Sequence, residues 1–97
     1  MNKSILSTIT RAALTDFQKA VYCATALIPK GETRTYAQIA AMIGRPRAAR
    51  AVGNALNKNP FAPAVPCHRV IRSSGALGGF ALGSATKKRL LKQEGAL

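Results

Sequence analysis

Apolar residues recur at helical spacing from Phe17 through Val21 and Ala24 to Ile28, and Pro29-Lys30-Gly31 then stops the run. Thr15 followed by Gln18 has capping-box form, so the pattern predicts a first firm helix over Asp16 to Leu27, with Cys23 one position off its apolar stripe as a buried or half-buried bystander. The form repeats at Thr35 and Gln38, with Ile39, Ala40 and Ile43 on one face and Gly44 where a left-handed residue ends a helix. Arg45-Pro46 restarts the chain, and Ala48 to Leu56 is rich in strong helix formers. Together these segments read as a helix-turn-helix whose second helix carries Arg47 and Arg50; an ordinary helical hairpin with a solvated basic face is the alternative.

Beyond the pair, Asn57 to Pro66 holds three prolines and no periodicity and reads as an irregular connection. Val65 to Ile71 is a brief extended segment, and Ser73-Ser74-Gly75 turns the chain between Val70-Ile71 and Ala76-Leu77 as a short β-hairpin. Gly78-Gly79 and Gly83 leave a glycine-rich loop, after which Ser84 caps a last helix running to Glu94, with Gly95 as its stop. Residues 1–14 form a leader, weakly ordered or helical, and residues 15–97 make one domain. The fold class is mostly α with a short β-hairpin, a winged-helix-like helix-turn-helix.

Charge changes the picture most. Fifteen Lys and Arg against three acids give a formal net charge of +12, so a polyanion is the expected partner; a basic ribosomal-type protein or an anionic-lipid binder shares that signature. Five aromatics (Phe17, Tyr22, Tyr36, Phe61, Phe80) are too few for a stacking platform that tracks single strands. Two cysteines and one histidine provide neither a secreted disulfide framework nor a structural zinc site, so reduced thiols, a cytoplasmic location and no metal are expected. No apolar run approaches the ~20 residues that span a bilayer, and no membrane partner is expected.

The candidate chemistry lies in Pro66-Cys67-His68-Arg69-Val70, which sets a thiol beside the only imidazole of the chain. Attack by sulfur requires the thiolate, so a proton acceptor is needed; His68 is the available base, and Glu94, the only acid of the C-terminal half, can fix its tautomer. Side chains of neighbours in an extended segment point to opposite faces, which favours a water bridge between Cys67 and His68. The flanking basic residues give an electropositive setting that favours the thiolate. The alternative is a buried cysteine next to a loop-capping histidine.

This pentapeptide, with Arg47-Ala48-Ala49-Arg50-Ala51-Val52-Gly53-Asn54 before it and Leu90-Leu91-Lys92-Gln93-Glu94 after it, resembles the active-site domain of the methylated-DNA-protein cysteine methyltransferases over Phe17 to Gly95. The resemblance implies single-turnover repair of O6-methylguanine by irreversible alkyl transfer to Cys67 after base flipping, leaving O4-methylthymine open as a second substrate. It implies Cys67, His68, Glu94, Tyr36 and Asn59 in the chemistry, with Tyr36 donating to the leaving guanine and Asn59 bracing the active-site loop. Arg50 matches an intercalating arginine on a helix that enters the minor groove of double-stranded DNA, with Arg47 beside it and Ala49 and Gly53 allowing close approach. Arg69 belongs to the motif as substrate contact or structural ion pair. Val70, Gly79, Phe80, Ala81 and Lys87 fall where the family pocket receives the base, although many relatives have tyrosine at the place of Phe80 and some a hydroxyl at that of Ala81.

No cofactor is implied, and a monomer is expected, located with DNA in the nucleoid of a prokaryote or the nucleus of a eukaryote. Most members carry a further N-terminal domain, whereas only about fifteen residues precede the first predicted helix here. That short architecture marks the alkyltransferase-like proteins, which bind the lesion without repairing it because the cysteine is replaced; Cys67 is retained. A non-catalytic lesion binder is therefore the main rival, followed by a helix-turn-helix regulator and, more distantly, a thiol hydrolase.

Overall fold

The computed structural model describes residues 3–61, 64–72 and 84–96. Among these residues five helices run α1 (Lys3–Arg11), α2 (Asp16–Ala26), α3 (Tyr36–Met42), α4 (Ala49–Asn57) and α5 (Ser84–Gln93), with two short strands, β1 (Arg34–Thr35) and β2 (Val70–Ile71). The fold is mostly α-helical around a helix-turn-helix, with one two-stranded sheet among the described residues.

Both capping boxes form. Thr15 accepts from the Gln18 amide while the Gln18 side chain accepts from the Thr15 amide, and Thr35 and Gln38 do the same, so each pair satisfies two donors that a helix start leaves orphaned. The second box fixes where α3 begins and hence where Tyr36, its first residue, stands.

Helices α2, α3 and α4 enclose a core in which Val21, Tyr22, Ile39, Val52, Val65 and Val70 are fully buried. Tyr22 enters it without an orphaned hydroxyl, since its Oη donates to the Ala55 carbonyl at 2.7 Å and its ring meets Phe61 edge-on. From the leader, α1 packs on α2 and buries Ile9 completely.

Three local expectations need correction. Pro46 does not open a helical turn: it sits inside a tight turn closed by the Ala48 amide on the Arg45 carbonyl at 2.9 Å, and α4 starts only at Ala49. Arg47 therefore lies in the turn and not on the second helix. The segment around the thiol is not extended either, because Cys67–Arg69 winds into a 3-10 turn, with the Arg69 amide bonded to the Pro66 carbonyl at 2.9 Å. The sheet pairs β2 with β1 in parallel, Arg34 opposite Val70 and Thr35 opposite Ile71. The turn expected at Ser73 to Gly75 and the cap expected on α5 lie outside the described backbone or side chains.

Candidate active site and nucleic-acid interface

The parallel pairing is what assembles the site. It ties the strand entering Tyr36 to the strand leaving Arg69, so the start of α3 and the Cys67 turn become neighbours although they are far apart in sequence. At three residues per turn, the side chains of Cys67, His68 and Arg69 fan out roughly 120° apart. Cys67 and His68 point into the molecule, at 3 % and 2 % exposure.

Asn59 holds the approach to this turn. Its Nδ2 donates to the Val65 carbonyl at 3.0 Å and its Oδ1 accepts from the Phe61 amide at 2.9 Å, pinning both ends of a proline-rich stretch. Burial pushes the Cys67 thiol up from its ordinary value, and the opposing pulls of Asn59 and of the Lys87 charge do not overcome it. The electropositive setting therefore does not yield a resting thiolate; a base has to take the proton.

His68 is suited to that. Burial pushes its imidazole down, below 6.5, against the pull of Glu94, so the ring is neutral at physiological pH. Its Nε2 lies 3.0 Å from Glu94 Oε1. A carboxylate there assigns the N–H to Nε2 and the lone pair to Nδ1. Glu94 is a firm carboxylate: chiefly the Arg69 guanidinium holds it down at about 2.

Arg69 directs its guanidinium inward. Nε and Nη2 donate to the two Glu94 oxygens at 2.8 and 2.6 Å, and Nη1 donates to the Ile28 carbonyl at 2.7 Å. Of the two roles the sequence allows for Arg69, the ion pair is the one in place.

Lys87 is wholly buried. It reaches across from α5 so that Nζ donates to the Val70 carbonyl at 2.6 Å and sits 3.4 Å from the Tyr36 hydroxyl. Burial lowers it to about 8, and among the opposing influences the nearby Cys67 sulfur favours its charge. Val70 thus contributes a backbone acceptor and a buried side chain.

Beside this network lies an open groove of about 480 Å³ between α3, α4 and Arg72. Tyr36, Ala49, Arg50 and Gly53 line it, as do Ala37, Asn54, Asn57 and Arg72, which sequence reasoning did not single out. Arg50, Gly53, Asn54 and Asn57 follow helical spacing, so a polar stripe on α4 was available as a signal for the two asparagines. Nothing local marks Arg72. Arg47 lines a separate shallow depression with Gly44, Arg45, Pro46 and Ala48. Gly79, Phe80 and Ala81 lie outside the described residues.

The family profile described as 6-O-methylguanine DNA methyltransferase, DNA binding domain, matches residues 16–96. A methylated-DNA–protein-cysteine methyltransferase of Methanosarcina barkeri is 60% identical over 80 residues, covering 82% of this chain and 51% of the relative. Among solved structures, Mycobacterium tuberculosis OGT in complex with DNA is 53% identical at a TM-score of 0.83, covering 86% of this chain and 52% of that one. Schizosaccharomyces pombe Atl1 in complex with damaged DNA containing O6-carboxymethylguanine is 36% identical at a TM-score of 0.76, covering 87% and 80%. This chain spans about half the length of the curated methyltransferases it matches. A thiol, a neutral imidazole and a carboxylate converge beside a helix-turn-helix groove within the matched segment, and the chain belongs to the 6-O-methylguanine DNA methyltransferase family through its DNA-binding domain.

Proposed function

We propose that the protein acts as a monomer on double-stranded DNA and repairs O6-methylguanine by moving the methyl group onto Cys67. The observation that carries this reading is the buried Cys67 turn, backed by a neutral His68 and an ionised Glu94 and lying near Tyr36, which lines the groove with Arg50. Helix α4 enters the minor groove, the target base turns out of the stack, and Arg50 fills the space it leaves. His68 Nδ1 accepts the thiol proton, directly or through one water, while Glu94 and Arg69 hold the ring and stabilise its charge. The sulfur then attacks the methyl carbon in line; the S–C bond forms as the C–O6 bond breaks, and its electron pair leaves with the guanine.

The leaving base carries developing negative charge, which a hydrogen bond from the Tyr36 hydroxyl stabilises. Lys87, 3.4 Å from that hydroxyl, supplies positive charge to the phenol and to the thiolate alike. The product is a thioether, so each molecule turns over once, and the acceptor belongs to the chain, so no cofactor enters the step.

A second reading has one observation in its favour: the structural similarity to S. pombe Atl1, solved in complex with damaged DNA, at a TM-score of 0.76. On that reading the protein holds the flipped alkylguanine without consuming it. Intact mass after incubation with an O6-methylguanine duplex, with peptide mapping and a Cys67→Ala control, separates the two. One methyl added at Cys67, and none in the control, is the expected result. An unchanged mass with lesion-selective binding establishes the sensor instead, and an O4-methylthymine duplex run alongside tests the second substrate.

A further inference from the structure

The bond from Arg69 to Ile28 has no place in the chemistry above, yet it joins the loop after α2 to the carboxylate behind His68. The same loop passes close to Glu94 a second time. Gly31 sits at φ +88°, and a Cβ on it would come within 3.1 Å of the Glu94 backbone oxygen, closer than most neighbours tolerate without moving. Glu94 follows the last turn of α5, its amide bonded to the Leu90 carbonyl at 3.1 Å, so the end of the helix alone leaves its side chain free to swing. The Arg69 fork therefore sets its carboxylate, and Gly31, lacking a Cβ, lets the loop run close beside its backbone.

We infer that the Ile28–Gly31 loop, acting through Arg69 and through its close approach to Glu94, is the positioning element for the His68–Glu94 pair. The inference rests on the proposed role of His68 as the base for Cys67. The fork fixes the carboxylate plane, because a guanidinium bound at both oxygens leaves Oε1 one direction in which to meet His68 Nε2. The Ile28 carbonyl occupies the remaining arm of the guanidinium, so rotation of the fork requires breaking a third bond. Among the described residues, the titratable or charged groups around His68 are Glu94 and Lys87 from the α5 side and Arg69 and Cys67 from its own turn; α2 adds the Tyr22 phenol and α3 the Tyr36 phenol, both near Cys67. Of these, Glu94 is the one that favours the protonated ring, so displacing it alters both the orientation of His68 and the pH at which it takes a proton.

Gly31→Ala and Arg69→Lys test this separately. The alanine strains the loop and crowds Glu94; the lysine keeps the charge but cannot make three directed bonds at once. Three quantities are measured for each: the single-turnover methyl-transfer constant at saturating O6-methylguanine duplex, the Kd for a lesion duplex, and the His68 titration midpoint by NMR. With a positioned base contributing roughly 10²–10⁴-fold, its partial misplacement reads as a loss of about tenfold or more in transfer, with Kd within about twofold and a displaced His68 midpoint. A purely structural role lowers thermal stability but leaves the midpoint and the folded protein's transfer constant at their wild-type values, and that result overturns the inference. A slower transfer with an unmoved midpoint overturns it too. Should the wild type itself transfer nothing, the functional reading fails, while the midpoint comparison still decides whether the loop positions His68.

Discussion

The thiol of Cys67 is not activated by its surroundings at rest; it is stored. Burial raises it, and the same burial lowers His68, so the two are poised as a protonated nucleophile beside a neutral base. The sign of the pH response follows. Below its folded-state value His68 is protonated and cannot accept, so the transfer constant should climb with pH to a midpoint below 6.5 and then level. Glu94, held at about 2, stays ionised throughout that climb, so the limb belongs to His68. In Glu94→Gln the influence favouring protonated His68 disappears while those of Arg69 and Lys87 remain, which should move the midpoint to lower pH and depress the plateau. Single-turnover rates between about pH 5 and 8 check both expectations, and a flat wild-type profile would remove His68 from the proton path. Linkage runs the same way for the fold: both groups bind protons less readily folded than unfolded, so stability falls as pH drops below 6.5 and again from 4.5 towards about 2.

Helix α4 carries two requirements that conflict at Gly53. A glycine inside a helix costs roughly 0.5–1 kcal/mol relative to alanine. Nothing in the fold demands it, because a Cβ there would meet only the Tyr36 ring at 3.8 Å, an ordinary contact. Gly53→Ala should therefore raise Tm by about 2–8 °C, scaling from that cost in a small domain. The added methyl stands in the Tyr36–Arg50 groove, so duplex affinity should weaken in the same variant; calorimetry and anisotropy titration give the two readings, and unchanged affinity would leave the groove outside the interface. What was legible at this scale was local. The boxes at Thr15 and Thr35 and the stop at Gly44, whose φ is +75°, are written within a few residues and appear where the pattern places them. The β1–β2 pairing, the inward turn of Arg69 and the burial of Lys87 each depend on partners more than fifteen residues away, and no local spacing encodes them. The displacement of Arg47 from helix to turn has a different cause: proline serves a tight turn as well as a first helical turn, and the turn prevails.

Across the whole molecule, fifteen basic residues face three acids, and two of those acids are already engaged, Glu94 by Arg69 and His68 and Glu32 by Arg34. Uncompensated charge of this size works against the compact state through self-repulsion while it draws the chain to a polyanion. Salt screens both effects, so stability and DNA affinity should respond to it with opposite signs. Between about 50 and 200 mM salt, Tm should rise while the logarithm of duplex affinity falls linearly, with a slope of roughly 0.9 for each phosphate neutralised. The slope also separates two roles for Arg50, which is exposed on the groove. If Arg50 neutralises a phosphate, Arg50→Ala flattens the slope by about 0.9 for damaged and undamaged duplex alike. A wedge that occupies the place of the flipped base leaves the slope nearly unchanged and weakens binding selectively for the O6-methylguanine duplex, because the cost falls on holding the base out. Parallel thermal melts and affinity titrations over one salt series therefore measure how much the charge destabilises the fold, how much of it serves DNA binding, and which part of that binding Arg50 performs; a Tm that falls with salt would show that self-repulsion does not limit this fold.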